Sequence, residues 1–218
     1  MHINSIEIDS TNSKTDLCNL GTLYPTDKSP YNDHSELHKH AYTSIYNLLF
    51  SHIRYNNIRL GEAGILDNMS MLSWRSYFPN AKLYGYEWFD SRLNKALADG
   101  IPNSVYMKMN VEDVNSIEQC LHSSGSEFDI LIDDSTHVFK DQINFINVAY
   151  KHLKPGGFLI IEDIFISESE KRYAENIDHL KDYFSSATFI FANHALKHSP
   201  GWNNDKLLVL NRNNKQCS

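Results

Sequence analysis

The sequence predicts an α/β protein, a doubly wound and mostly parallel sheet of seven strands whose last strand runs antiparallel, preceded by an N-terminal helical extension. Three observations predict it. Residues 128–165, FDILIDDSTHVFKDQINFINVAYKHLKPGGFLIIEDIF, read as strand, polar loop, helix, glycine turn and strand. Their two Ile/Leu-rich runs suit strands buried on both faces, and Ile143, Ile146, Ala149, Tyr150 and Leu153 between them stand at helical spacing. Strand-helix alternations of the same kind begin at Arg59, and two further strand-like runs, 187–192 and 206–210, close the chain.

Taken in order, residues 1–16 are polar and irregular and read as a loose arm. Residues 22–32 carry turn chemistry around Pro25 and Pro30, and 40–53 place Tyr42, Ile45, Tyr46, Leu49 and Ile53 at helical spacing, with Phe50 beside them. This helix is either a lid over the active-site edge or an extra packing layer, and its aromatic face suits self-association. His34, His38 and His40 are spaced by four and two, off a single helical face and far from any Cys, so they read as surface or substrate-contact histidines rather than a zinc site. The chain divides at about residue 54, with arm and helix in 1–54 and the sheet domain in 55–218.

The first strand, 59–66, turns at Gly64 and opens a helix at 69–77 with Ser70 in its first turn. Glycines at such a turn let backbone approach a nucleotide, with a helix N-terminus behind it. Gly61 and Gly64 alone are a weak signal, and the missing G-x-G-x-x-G argues against a nicotinamide-dependent oxidoreductase. The second strand, 81–89, carries Glu87 near its end, roughly twenty residues on, where a carboxylate holds the two hydroxyls of an adenosine ribose. A short helix at 91–98 leads to a third strand, 104–111, whose Asn110 and Val111 offer a polar group and an apolar face to an adenine. A helix at 114–121 and a Ser/Gly turn lead into the central unit. Beyond it, 167–184 is a charged amphipathic helix with Tyr173, Ile177, Leu180 and Phe184 inward. The connection NHALKHSPGWNND, 193–205, is too long for a tight hairpin, so part of it is available to cover a site.

Two acidic clusters follow consecutive buried strands: Asp133 and Asp134, then Glu162 and Asp163. Ligands of open α/β sheets bind at such carboxyl ends, and carboxylates from adjacent strand ends suit a hard divalent cation such as Mg²⁺. Otherwise they cap the following helices or face water. His137, three residues past Asp134, is placed to accept a proton there.

Bulk properties narrow the classes. With 218 residues, 41% of them hydrophobic, the chain is long enough for a sizeable core. A formal charge of −7 and no run of Lys or Arg argue against a nucleic-acid partner. Cys18, Cys120 and Cys217 are scattered, which favours a reducing compartment over a disulfide framework. The first residues lack a signal-peptide pattern and no apolar run reaches the ~18 residues of a membrane span, so the expected location is the cytoplasm.

Over about residues 55–211 this order of elements resembles the Rossmann-like, seven-stranded class I S-adenosylmethionine-dependent methyltransferases. Thr26-Asp27-Lys28, Glu62-Ala63-Gly64, the stretch from Trp74 to Gly85, Ile132 to His137 and Leu153 to Asp163 look like the metal-dependent sugar O-methyltransferases of the macrolide-tailoring type. The resemblance implies Mg²⁺ on Asp134, Glu162 and Asp163, His137 as general base beside Asp134, and Glu62, Gly64 and Glu87 around the methyl donor. Ser70, Asn110, Val111 and Asp133 complete the expected donor site. It further implies methyl transfer to a sugar hydroxyl of a small-molecule acceptor or of a polysaccharide precursor. Methyl transfer to a phosphate derivative or an amine, and a non-catalytic nucleotide-binding or assembly domain, stay open as alternatives. Two positions depart from the pattern: Leu66-Asp67-Asn68-Met69 replaces the usual glycines after Gly64, and Ser135 replaces a Gly.

Overall fold

The computed structural model describes residues 1–33 and 38–214; His34 and Cys217 lie outside the described residues. The sheet has eight strands, in the order β1-β7-β8-β6-β5-β2-β3-β4. They are β1 (Asn4–Asp9), β2 (Arg59–Ala63), β3 (Lys82–Glu87), β4 (Ser104–Lys108), β5 (Phe128–Asp133), β6 (Leu153–Ile161), β7 (Phe184–Asn193) and β8 (Lys206–Arg212). Every pairing is parallel except those of β8, which runs antiparallel to both β6 and β7.

The helices are α1 (Asp16–Leu23), α2 (Tyr42–Phe50), α3 (Met69–Tyr77), α4 (Asp90–Asp99), α5 (Val114–Ser123), α6 (Phe139–Ala149) and α7 (Glu170–Asn176). They cover both faces of the sheet. Leu131, Leu159 and Leu208 pack with α5 and α6, whereas their chain neighbours Ile130, Ile160 and Leu207 pack with α1, α2 and α3. This alternation is the period of two that a doubly covered sheet requires.

The extra strand comes from the expected loose arm. β1 pairs along its whole length with β7, yet most of its residues are exposed. An edge strand held by backbone hydrogen bonds needs no buried side-chain face, so it leaves no apolar alternation to read. Just after it, α1 buries Leu17, Cys18 and Gly21 and is capped by Thr15, whose side chain accepts from the Cys18 N–H. Two other segments are shorter or straighter than expected. Residues 167–184 give α7 and a 3-10 turn at Asp178–Leu180, and Lys154 to Gly157 lie within β6 at an irregularity of its pairing with β5. Gly156 there has φ +78, so the glycines serve a bulge rather than a chain-reversing turn.

The aromatic face of α2 is turned inward. Tyr42, Tyr46 and Phe50 are fully buried, so the helix packs as a layer of the core and its aromatics give no ground for self-association.

Candidate active site

The sheet reverses its order of connection between β2 and β5, which are hydrogen-bonded neighbours, and the crevice beyond their carboxyl ends is where such sheets bind ligands. Gly64, with φ +84, makes the crevice possible: a Cβ there would collide with the Asp134 carbonyl. The following turn is built without further glycines. Leu66 and Asn68 take φ 45 and 74, and Asn68 is held by the Tyr106 hydroxyl and by its own bond to Asp99, each at 3.0 Å. Asn tolerates this left-handed conformation better than most residues; Leu does not, and carries local strain.

A cleft of about 310 Å³ opens from this crevice towards β3 and β4. Gly64, Glu87, Asn110, Val111, Asp134 and His137 line it, together with Asp27, Trp88, Phe89 and Arg92. Glu87 is buried at the end of β3, and its Oε1 accepts the backbone N–H groups of Trp88 and Phe89 at 2.8 and 2.9 Å. Three expected donor-site residues lie elsewhere. Glu62 is fully buried, accepts the indole N–H of Trp74 and lies 3.5 Å from Lys28 Nζ. Ser70 lines a small neighbouring cavity of about 20 Å³, its Oγ without a partner among the described residues. Asp133 is buried and accepts the Ser135 hydroxyl at 2.5 Å, and burial pushes its carboxyl up to about 7.

Two residues of the cleft lining, Asp134 and His137, stand with Asp163 in a group whose ligand atoms all lie within 4.8 Å of one another. His137 and Asp163 have φ 58 and 55, so two residues of this group sit in a strained backbone conformation, a common property of functional sites. His137 Nε2 lies 3.7 Å from Asp163 Oδ2, and its Nδ1 has no partner among the described residues. Burial lowers the pKa of His137, with Asp163 opposing, so the ring favours its neutral, proton-accepting form.

Glu162, in contrast, is turned into the protein. It accepts the Tyr46 hydroxyl on one oxygen and Lys28 Nζ, at 2.8 Å, on the other. Lys28 also donates to Asp134, bridging the two strand ends. Burial works against the Lys28 charge, but Asp134, Glu162 and Glu62 outweigh it and hold the ammonium well above its ordinary pKa. The carboxylates remain crowded. Burial raises Glu162 to about 7 and raises Asp134 well above its usual range, with Lys28 opposing in both.

Asp163 is fixed by two residues of the N-terminal segment. The Tyr42 hydroxyl donates to its Oδ1 at 2.7 Å, and His40 Nε2 lies 3.4 Å from its Oδ2. His40 is itself held by Asp205 at 2.9 Å. Burial opposes the imidazolium, but Asp163 and Asp205 prevail and raise its pKa to about 9. Tyr42 and Tyr46 are therefore site residues that sequence reasoning passed over, while Lys28, noted only within its motif, and His40, read as a surface or substrate-contact histidine, prove to be buried partners of the carboxylates. The helical spacing of the two tyrosines marked their buried face, and nothing in it told that their hydroxyls reach carboxylates.

No protein-family model matches the chain. Among solved structures, the chain is similar to the MycE methyltransferase of the mycinamycin biosynthetic pathway in complex with Mg, SAH and mycinamycin VI. That superposition has a TM-score of 0.68 and 18% identity and covers 94% of this chain and 57% of that one. TrmN from Thermus thermophilus superposes with a TM-score of 0.54 and 16% identity, over 78% of this chain and 48% of that one.

The fold is that of a class I methyltransferase.

In sequence, this methyltransferase fold is similar to two curated sugar O-methyltransferases. L-olivosyl-oleandolide 3-O-methyltransferase from Streptomyces antibioticus is 29% identical over 135 residues, 59% of this chain and 33% of that protein. Mycinamicin VI 2''-O-methyltransferase from Micromonospora griseorubida is 26% identical over 159 residues, 70% of this chain and 37% of that protein. The chain thus matches little more than a third of the length of these relatives.

Proposed function

We propose that the chain transfers a methyl group from S-adenosylmethionine to a hydroxyl of a sugar-containing small molecule, with Mg²⁺ assisting. The observation that carries this reading is the junction of the cleft with the Asp134, His137 and Asp163 group. Glu87 lies at the cleft's β3 side, where it suits ribose hydroxyls, and Asn110 and Val111 suit an adenine. The relatives named as sugar O-methyltransferases support the acceptor class, and the Mg and SAH of the MycE complex support the donor and the cation.

The residues fit a divalent cation. Glu62, Asp134, Glu162 and Asp163 crowd together against Lys28 and His40, four carboxylates against two cations. Asp134 and Asp163 would hold the ion, since they stand with His137 in the group whose ligand atoms lie within 4.8 Å of one another and Glu162 does not. Bound there, the ion would make the acceptor hydroxyl more acidic. His137 takes the hydroxyl proton while the oxygen bonds the methyl carbon and the carbon–sulfur bond breaks, its electron pair staying on sulfur. Asp163, pinned by Tyr42 and His40, keeps its orientation through the transfer.

An acidic chain of net charge −7 suits a small acceptor better than a nucleic acid, and buried free thiols at Cys18 and Cys120 suit a cytoplasmic setting. No helix among the described residues is long and apolar enough to cross a membrane.

Calorimetric titration with S-adenosylmethionine and its demethylated product, each with Mg²⁺ and with chelator, tests the reading. We expect micromolar binding of both. Asp163→Asn, which keeps an acceptor for Tyr42, should still bind the product yet lose any response to Mg²⁺. Failure of both nucleosides to bind in either condition would return the chain to the non-catalytic alternative.

A further inference from the structure

The connection between β7 and β8 carries Trp202, and it is anchored rather than loose. Lys39 and His198 form a two-way backbone bridge at 2.7 and 3.1 Å, and the Asn203 carbonyl accepts the Ile166 N–H at 2.8 Å. Those bonds join the loop both to the N-terminal segment and to the chain just beyond Asp163. Trp202 stacks on Phe165 with ring centroids 5.5 Å apart, and the rings of His38 and His137 meet it edge-on at 5.8 and 5.9 Å. Despite three aromatic neighbours it is 44% exposed. It does not line the donor cleft, although His137, which it touches, does.

Unpartnered polar atoms occur on the two imidazoles that meet this ring and on the loop that carries it. His38 Nδ1, His137 Nδ1, Ser199 Oγ and Asn204 Oδ1 are buried and have no hydrogen-bond partner among the described residues. Buried polar atoms are seldom left so, and four of them, on the loop of a half-exposed indole and on the two imidazoles that meet it, call for a ligand rich in hydroxyls. An aromatic face adds a second requirement, an apolar surface flat enough to stack. A pyranose meets both, with C–H bonds across one face and hydroxyls around its rim.

We propose that Trp202, backed by Phe165, is the shelf on which the acceptor's sugar ring stacks, so that it selects a cyclic sugar and sets one of its hydroxyls against His137. The proposal rests on the methyl-transfer reading and names the part of that site which chooses the acceptor. Because backbone bridges hold the shelf in place, little ordering accompanies binding.

The test uses the whole protein with saturating demethylated donor and Mg²⁺, and methyl α-L-rhamnopyranoside as probe, followed by saturation-transfer NMR. Ring protons of one sugar face should receive saturation, and the acyclic polyol rhamnitol should give none. Trp202→Ala should weaken the glycoside by about three- to tenfold, as loss of an aromatic contact does, while Trp202→Phe retains most of the affinity. Calorimetric binding of the demethylated donor should be the same in all three proteins. Glycoside binding unchanged in Trp202→Ala, or absent from a wild-type protein that binds the donor, overturns the shelf. A Trp202-dependent glycoside signal in a protein that binds no donor would keep the shelf and sink the methyl-transfer reading instead.

Discussion

At the scale of single residues, the carboxylates of the site depend on a buried lysine. Lys28 is 2% exposed and bridges Asp134 and Glu162, with Glu62 3.5 Å away. Burial raises Glu162 from 4.5 to about 7, so the native chain holds a proton that the unfolded chain releases, and stability falls as pH rises through that window. Lys28 opposes this fall. Lys28→Met, similar in length but uncharged, should therefore cost about 3–5 kcal/mol near neutral pH, the usual penalty for stranding a buried charge. Urea denaturation in chelator should show the deficit shrinking at about pH 5, where protonation relieves the carboxylates. An equal deficit at both pH values would assign the loss to packing instead of charge. Lys28 was legible only as part of the Thr26-Asp27-Lys28 motif. Lysines are rarely buried, and no pattern of neighbours in the sequence told that this one is.

At the scale of elements, legibility followed burial. β2, β5 and the second half of β6 are buried on both faces and could be recognised, and with them the acidic residues that leave the carboxyl ends of β5 and β6. β1 could not be. Its place depends on the backbone of β7, 180 or so residues away, with only Ile8 packed against the core. The same position makes β1 protective. It supplies the outer partner of β7, whose long strand carries Phe189, Ile190 and Phe191 and would otherwise present an open apolar edge. Removing residues 1–9 should lower the thermal midpoint by a few degrees and, more markedly, promote association through β7. Light scattering at rising protein concentration checks this: a truncated chain as monodisperse as the full one would show that the β7 edge needs no cover.

For the whole molecule, the sequence reading divided the chain at about residue 54, because the helix before that point stands outside the strand-helix alternation. The contacts cut across that division. Tyr42, Ile45, Tyr46 and Phe50 belong to the same buried cluster as Leu60, Ile130, Ile132 and Ile160 of the sheet. Trp74 joins the two, meeting the Tyr46 ring at 5.4 Å while its indole N–H donates to one oxygen of Glu62. Lys28, His40, Tyr42 and Tyr46 supply the polar partners of Glu162 and Asp163. Without residues 1–54, one face of the sheet would lose its cover and its acidic strand ends would lose these partners, a combination of exposed apolar surface and uncompensated buried charge. The N-terminal segment and the sheet should accordingly unfold together. Urea denaturation followed by tryptophan fluorescence and by far-ultraviolet circular dichroism should give one midpoint, as a two-state transition requires. The paired substitution Tyr42→Phe and Tyr46→Phe should shift both signals equally, since it withdraws hydroxyls that the sheet's carboxylates use. Were the segment an independent domain, the variant would move only one of two separable transitions, and residues 55–218 alone would fold.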